Sequence, residues 1–265
     1  EFLAGYGFSI RNAHVLVRNA YQARALLELA AYLTANHESG SLKGFLGRLQ
    51  KLKEKKIREA KKDYERNGIT LSRRDEISLK DVQIRDRICS QYGLRLQGPF
   101  LTGNLDKYAV EFLTGKWLEV FIWGVLFPFD GTAVGDLNIG VVVGGTGQGQ
   151  DNELDVSYIK DQSFCIVECK TGGQHHDPQG KDTLYKIEAV KAGLKAIRVE
   201  AYLATTSSNI IDKKTGTIKE SLKNRASLYN CAIIPGDELR EMAELWIRKD
   251  TEALTRKVRS TFRLP

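Results

Sequence analysis

The chain has 265 residues, 42% hydrophobic and 28% charged, with a net charge of +7. That balance belongs to a folded globular protein with a substantial core, and excludes a disordered or fibrous chain. No apolar run reaches the ~18 residues of a membrane span and no signal peptide is read, so no membrane partner is expected. Cys89, Cys165, Cys169 and Cys231 form no CxxC pair and read as reduced thiols of a cytoplasmic protein.

In chain order, residues 10–35 carry Leu26, Leu29, Ala30 and Leu33 on one stripe, which predicts a helix. Residues 36–40 break it, and Ser41 is placed to cap a second helix over 42–66, with Leu42, Phe45, Leu49, Ile57 and Tyr64 on its apolar stripe. Residues 43–74 hold twelve Lys and Arg against four acids, a local +8, so the rest of the chain sums to −1. Basicity confined to one segment suggests an element facing a polyanion, although a solvated helix face is the plainer alternative. Asn67-Gly68 closes that helix, and Ser78 and Gly93 bound a third over 78–91. Gly98-Pro99 and Gly103 suggest a boundary between a helical, basic region (1–99), in contact with nucleic acid or a partner, and a second domain (100–265).

The second region reads as a helix over 104–126, a strand near 134–143, a Gly-rich connection, and two apolar runs within 152–172. A helix near 183–194, a strand over 197–205, a helix near 220–229, a strand at 231–234 and a closing helix from Asp237 follow. Strands alternating with helices predict an α/β domain, a mixed sheet flanked by helices. The GGTGQGQ loop (144–150) lacks a Gly-Lys-Ser/Thr ending and a following helix, so it reads as a strand connection, not a phosphate loop. His175-His176-Asp177 sit in a polar loop with no further nitrogen or sulfur ligand near, which reads as a border of the site rather than a metal centre.

The segment NELDVSYIKDQSFCIVECKTG (152–172) raises the chemical question. Two apolar runs flank a polar break, yet both contain acids and the second ends in a lysine. With Asp161-Gln162 as the turn of a hairpin, opposed residue numbers sum to 323. Asp155 then lies across from Glu168, and Glu153 across from Lys170. Opposed residues, and residues two apart on one strand, share a face. Two carboxylates that close repel each other, and a hard cation such as Mg²⁺ or Mn²⁺ relieves the repulsion while leaving room for water and phosphate oxygens. Lys170 is placed to orient a nucleophile or to stabilise charge in the transition state. This constellation favours metal-assisted phosphodiester hydrolysis.

Asp155 followed by Glu168-Cys169-Lys170 resembles the signature of the PD-(D/E)xK nuclease superfamily. The order FLTGKWLE (112–119), the hairpin segment (152–172) and LYKIEAVKAGL (184–194) is similar to one subfamily of it. In those CRISPR-associated nucleases a CARF sensor of cyclic oligoadenylate is fused to the nuclease. The resemblance covers about residues 100–235 and implies a restriction-endonuclease-like fold. It implies Asp155 and Glu168 as metal ligands with the Cys169 carbonyl, Glu119 as a helix-borne acid at the metal, Lys170 as the catalytic lysine and Lys186 as a supporting base. Glu153 would be an accessory acid. The implied cofactor is Mg²⁺ or Mn²⁺, the substrate is DNA with RNA as a second candidate, and the setting is antiviral defence. A homodimer and a separate sensor or regulatory subunit are further candidate partners. The first 100 residues lack the alternating strands and helices of a nucleotide sensor, and the helical pair does not read as a winged-helix linker. The alternative from another class is a non-catalytic nucleic-acid-binding or scaffold protein on a nuclease-like fold.

Overall fold

The structure, a computed structural model, describes residues 9–144, 151–172, 181–194 and 197–265. It divides into two compact units, one of Glu1–Leu27 with Leu118–Pro265 and one of Glu28–Trp117. Both boundaries fall inside helices. Residues 145–150 of the Gly-rich connection and His175-His176-Asp177 lie outside the described residues.

The first unit is built on a six-stranded mixed sheet. Its strands are β1 (Ser9–Ile10), β5 (Gly135–Gly144), β6 (Asn152–Lys160), β7 (Ser163–Lys170), β8 (Val199–Thr205) and β9 (Cys231–Ile234). Their order is β1-β5-β6-β7-β8-β9, antiparallel through β7 and parallel from β7 to β9. The mixed α/β architecture flanked by helices is therefore the one expected from the alternating elements. Phe164, Ile166, Ala201 and Leu203 from the sheet join Leu184 and Ile187 of helix Lys181–Gly193 in one buried cluster. The helix Glu220–Leu228 adds Leu222 and Ala226 to it.

The closing segment is two helices, not one. Gly236–Ile247 and Thr251–Phe262 are separated by Lys249 at φ 59 and by Asp250, whose carboxylate accepts from the Ala253 amide at 3.1 Å. That cap outweighs the continuous apolar periodicity.

Helix α1 (Ala13–Ala35) starts in this unit, where the side-chain amides of Asn12, just before it, and Asn19, within it, grip β5. Asn12 donates to the Gly140 carbonyl at 2.7 Å and accepts from the Val142 amide at 2.9 Å, while Asn19 donates to the Ile139 carbonyl at 3.3 Å. Gly124 permits the close approach of α1 to the helix Trp117–Leu126, because a Cβ there would sit 2.1 Å from Cδ1 of Leu27. The wider helical stretch Lys107–Phe129 is long and apolar enough to cross a membrane, a length the sequence reading did not credit. With 67% of its apolar window buried, it is accounted for as core.

The second unit holds α2 (Gly40–Asn67), β2 (Ile69–Leu71), a 3-10 turn at Arg73–Asp75, α3 (Val82–Tyr92), β3 (Arg95–Gln97) and β4 (Phe100–Leu105). The antiparallel strand order β2-β4-β3 is that of a winged helix whose middle helix has shrunk to the single 3-10 turn. The three helices expected in this region are present, and this small sheet is an addition to that expectation. Three-residue strands such as ITL and RLQ are too short to show a period of two. The caps also differ from expectation. Ser39, not Ser41, accepts from the Leu42 amide, and Asp81, not Ser78, accepts from the Ile84 amide. Ser41 instead accepts from the Lys80 amide at 2.8 Å. Gly68 ends α2 at φ 67, where a Cβ would lie 2.1 Å from the Leu105 carbonyl oxygen, so only glycine fits.

Candidate active site

The hairpin of β6 and β7 turns on Asp161 and Gln162, both at positive φ (46° and 61°), the conformation that lets a two-residue turn match strand twist. The ladder runs from Lys160 opposite Ser163 to Val156 opposite Val167, the expected register. It stops there. Asp155 and Glu168 do not pair through their backbones as the register alone implies, nor does Glu153 pair with Lys170. Instead the Asp155 side chain enters the ladder, and its Oδ2 accepts from the Cys169 amide at 2.7 Å. Gly140 on β5, at φ 67, kinks the neighbouring strand beside this point. Glu153 pairs across β5 with Val142 and is exposed.

The amide and carbonyl of one residue leave a strand by the same edge. Since the Cys169 amide points at Asp155, the Cys169 carbonyl faces the β6 side as well. Lys170 points the other way, and its carbonyl accepts from the Thr206 amide at 3.0 Å. β7 and β8 pair in parallel as far as Lys170 opposite Thr205, so Glu168 and Lys170 stand at the carboxyl end of an interior strand. In open α/β sheets that end is where ligands bind.

Around Glu168 the charges close in. Lys170 donates to its Oε1 at 2.5 Å and Lys186, from the helix Lys181–Gly193, donates to the same oxygen at 2.8 Å. Glu168 is 6% exposed and Asp155 9%. Burial, and then the Glu168 charge, push the Asp155 carboxyl up to about 6, while Lys170, the Cys169 amide and Lys186 pull the other way. Burial works against the Lys170 ammonium, but Glu168 and Asp155 outweigh it and hold its pKa above the ordinary lysine value. Glu119 lies in the first turn of the helix Trp117–Leu126. Its charge joins those of Asp155 and Glu168, behind burial, in raising the Cys169 thiol.

The structure thus gathers Asp155, Glu168, Lys170 and Lys186 around one point, with Glu119 near Cys169 and Glu153 at the outer end of β6. Among the described residues no three His, Cys, Asp or Glu side chains form a metal-binding group. Two buried carboxylates and a peptide carbonyl fit a hard cation that fills its shell with water and phosphate oxygens, and do not fit a closed zinc site.

Sequence reasoning missed Asn12 and Asn19, which hold β5 beside Asp155. An asparagine inside a helix, where it is a poor former, is the only signal that points to Asn19. It also missed a cavity of about 510 Å³ at the opposite end of β8, lined among others by Arg198, Glu200, Lys223, Asn230 and Arg263. That cavity is lined by none of Glu119, Asp155, Glu168, Lys170 or Lys186.

A family model described as Card1-like, endonuclease domain, matches residues 106–245, more than half of the chain. The chain belongs to the Card1-like endonuclease domain family. The resemblance drawn from its three motifs, to CRISPR-associated nuclease domains, is borne out by that match. No curated protein matches the sequence. Among solved structures, the Card1-like chain is similar to protein VC1899 from Vibrio cholerae, at 21% identity and a TM-score of 0.60. It is also similar to Can2 from Sulfobacillus thermosulfidooxidans in complex with cyclic tetra-adenylate, at 16% identity and a TM-score of 0.55. Each likeness covers 93% of this chain but only 59% and 57% of those two, so the chain spans less than two thirds of either. At these identities they support the fold alone.

Proposed function

We propose that this Card1-like domain is a divalent-metal-dependent endonuclease that hydrolyses phosphodiester bonds in DNA, with RNA as a second substrate, in CRISPR-type antiviral defence. The observation that carries the reading is the meeting of Asp155, Glu168, Lys170 and Lys186 at the carboxyl end of β7. Asp155, Glu168 and the Cys169 carbonyl would hold Mg²⁺ or Mn²⁺, with Glu119 a further acid for it from its helix. When bound, such an ion supplies positive charge beside the phosphoryl oxygens and acidifies water for attack.

The chain's own residues do the rest. The Cys169 amide fixes the Asp155 carboxylate in the gap of the ladder, so the acid is preorganised before any substrate arrives. Lys170 and Lys186 both neutralise Glu168. Once that carboxylate is otherwise satisfied, their ammonium groups are released toward the phosphodiester. There Lys170, more buried than Lys186, orients the attacking water and balances charge on the non-bridging oxygens. Lys186, on the solvent side, contacts the phosphate.

The assigned compartment is the cytoplasm, in keeping with four unbridged thiols. The Can2 structure carries cyclic tetra-adenylate. Control of this chain by such a ligand is assigned to a sensor region or subunit other than the two units described, and a second copy of the chain is a further expected partner. The test is cleavage of single- and double-stranded DNA and RNA across a series of divalent metals, with Glu168→Ala and Lys170→Ala as controls. Cleavage by both variants at the wild-type rate would reject this site.

A further inference from the structure

The cations of α2 are not scattered over its surface. Arg48, Lys51, Lys55, Arg58, Lys62 and Arg66 follow one another at spacings of three or four residues, which places the first four on one side of the helix before Ala60 and the last two on one side of the helix after it. All six are exposed. The opposite side is the apolar stripe of Leu42, Phe45, Leu49 and Tyr64, buried in the second unit. Several other charges of the helix are engaged. Lys56 pairs with Asp63 at 2.5 Å, Gln50 holds Glu54 at 2.8 Å, and the half-buried Lys53 turns inward to Thr114 at 3.2 Å. No carboxylate lies within ion-pair distance of any of the six among the described residues. At 1.5 Å per residue the row runs about 15 Å from Arg48 to Arg58 and about 6 Å from Lys62 to Arg66, with a kink between them at Ala60, whose φ of −154° and ψ of 61° leave the helical region.

Like charges at such spacing work against helix formation, pair after pair. A solvated face needs no such arrangement, and alternating signs would serve solubility better. The helix that a winged helix would place in a DNA groove is also unsuited to that use here. In α3, Arg85 is paired with Asp86 at 3.1 Å and Arg87 with Glu28 at 3.3 Å. Of the two helices, α2 therefore carries the unpaired positive row, and the cations of α3 are held in ion pairs.

We propose that this face of α2 is a docking surface for the phosphate backbone of a nucleic acid, bound without regard to sequence. The choice of nucleic acid as the polyanion rests on the nuclease reading; the presence of a polyanion site rests on the six residues alone. Binding of this kind releases counterions, so its affinity falls with salt by about 0.9 log units per log salt for each duplex phosphate neutralised, and about 0.7 for a single strand.

The test uses the full chain in EDTA, so that binding is read without cleavage. Fluorescence anisotropy of labelled duplex and single-stranded oligonucleotides is followed between about 50 and 200 mM salt. The variant Lys51→Gln, Lys55→Gln, Arg58→Gln, Lys62→Gln is compared with wild type and with Arg256→Gln, an exposed arginine on the closing helix. Thermal melting confirms that the quadruple variant folds; having lost like-charge pairs, it should melt no lower than wild type. The expected result is a salt slope reduced by about two to four and at least tenfold weaker binding at low salt, with Arg256→Gln unchanged. An unchanged slope in a folded quadruple variant overturns the proposal and leaves the face to an acidic protein. Failure of the nuclease reading shows separately, as intact binding with no cleavage in any metal.

Discussion

Replacing Asp155 by Asn should stabilise the metal-free protein while abolishing its chemistry. The carboxyl titrates near 6 in the fold against an ordinary value of 3.8, chiefly because it is buried and then because Glu168 is close. Between those values the folded state holds a proton that the unfolded state has lost. Stability therefore falls as pH rises through that window, and the full penalty is present above it. Two units at about 1.36 kcal/mol each come to roughly 3 kcal/mol, and at 9% exposure solvent screens little of it. Asparagine keeps an oxygen to accept from the Cys169 amide but cannot ionise. Melts in EDTA should find Asp155→Asn more stable at pH 8 by roughly 3 kcal/mol, or on the order of 5–10 °C in Tm, with the gain vanishing near pH 4. A variant less stable than wild type at pH 8, or a gain that does not change with pH, would refute the electrostatic account of this residue.

Lys170→Ala should lower cleavage by roughly 10²-fold or more, in the range of lost acid–base and charge stabilisation. Lys186→Ala, whose ammonium is the more exposed, should cost less, which initial rates at saturating substrate will show. Lys160 is buried between Glu200 at 2.7 Å and the Phe262 carbonyl at 3.2 Å. Lys160→Met should therefore cost about 3 kcal/mol in urea melts, and adding Glu200→Leu should recover most of it. Gly68→Ala forces a side chain into the Leu105 carbonyl at a positive φ, and should destabilise the second unit by about 1–3 kcal/mol. Hydrogen exchange in α2 and β4 would localise that effect.

The parts of the molecule that could be read from the sequence are those with long, regular signals. The helices Ala13–Ala35 and Gly40–Asn67 and the strand Cys231–Ile234 stand close to where periodicity and caps put them. The β6–β7 register follows from the turn, because one turn position fixes every opposed pair. What was hidden depends on contacts distant in sequence. Asn12 reaches β5 across 128 residues and Lys160 reaches Glu200 across 40, and neither residue type announces such a partner. A lysine beside a turn reads as a solvated end, whereas this one is 4% exposed. The site shows the same division. Glu168 and Lys170 sharing a face follows from their spacing, but the Asp155 carboxylate replacing a ladder bond does not, since the turn alone implies a ladder that continues past Val156.

The central claim is that Asp155 and Glu168 form one cation site beside Lys170. Titration calorimetry with Mn²⁺ on the wild type, Asp155→Ala and Glu168→Ala tests it most directly. The account predicts saturable heat in the wild type that is lost in each variant, while Lys170→Ala retains it. Equal binding heat in all four proteins would contradict it.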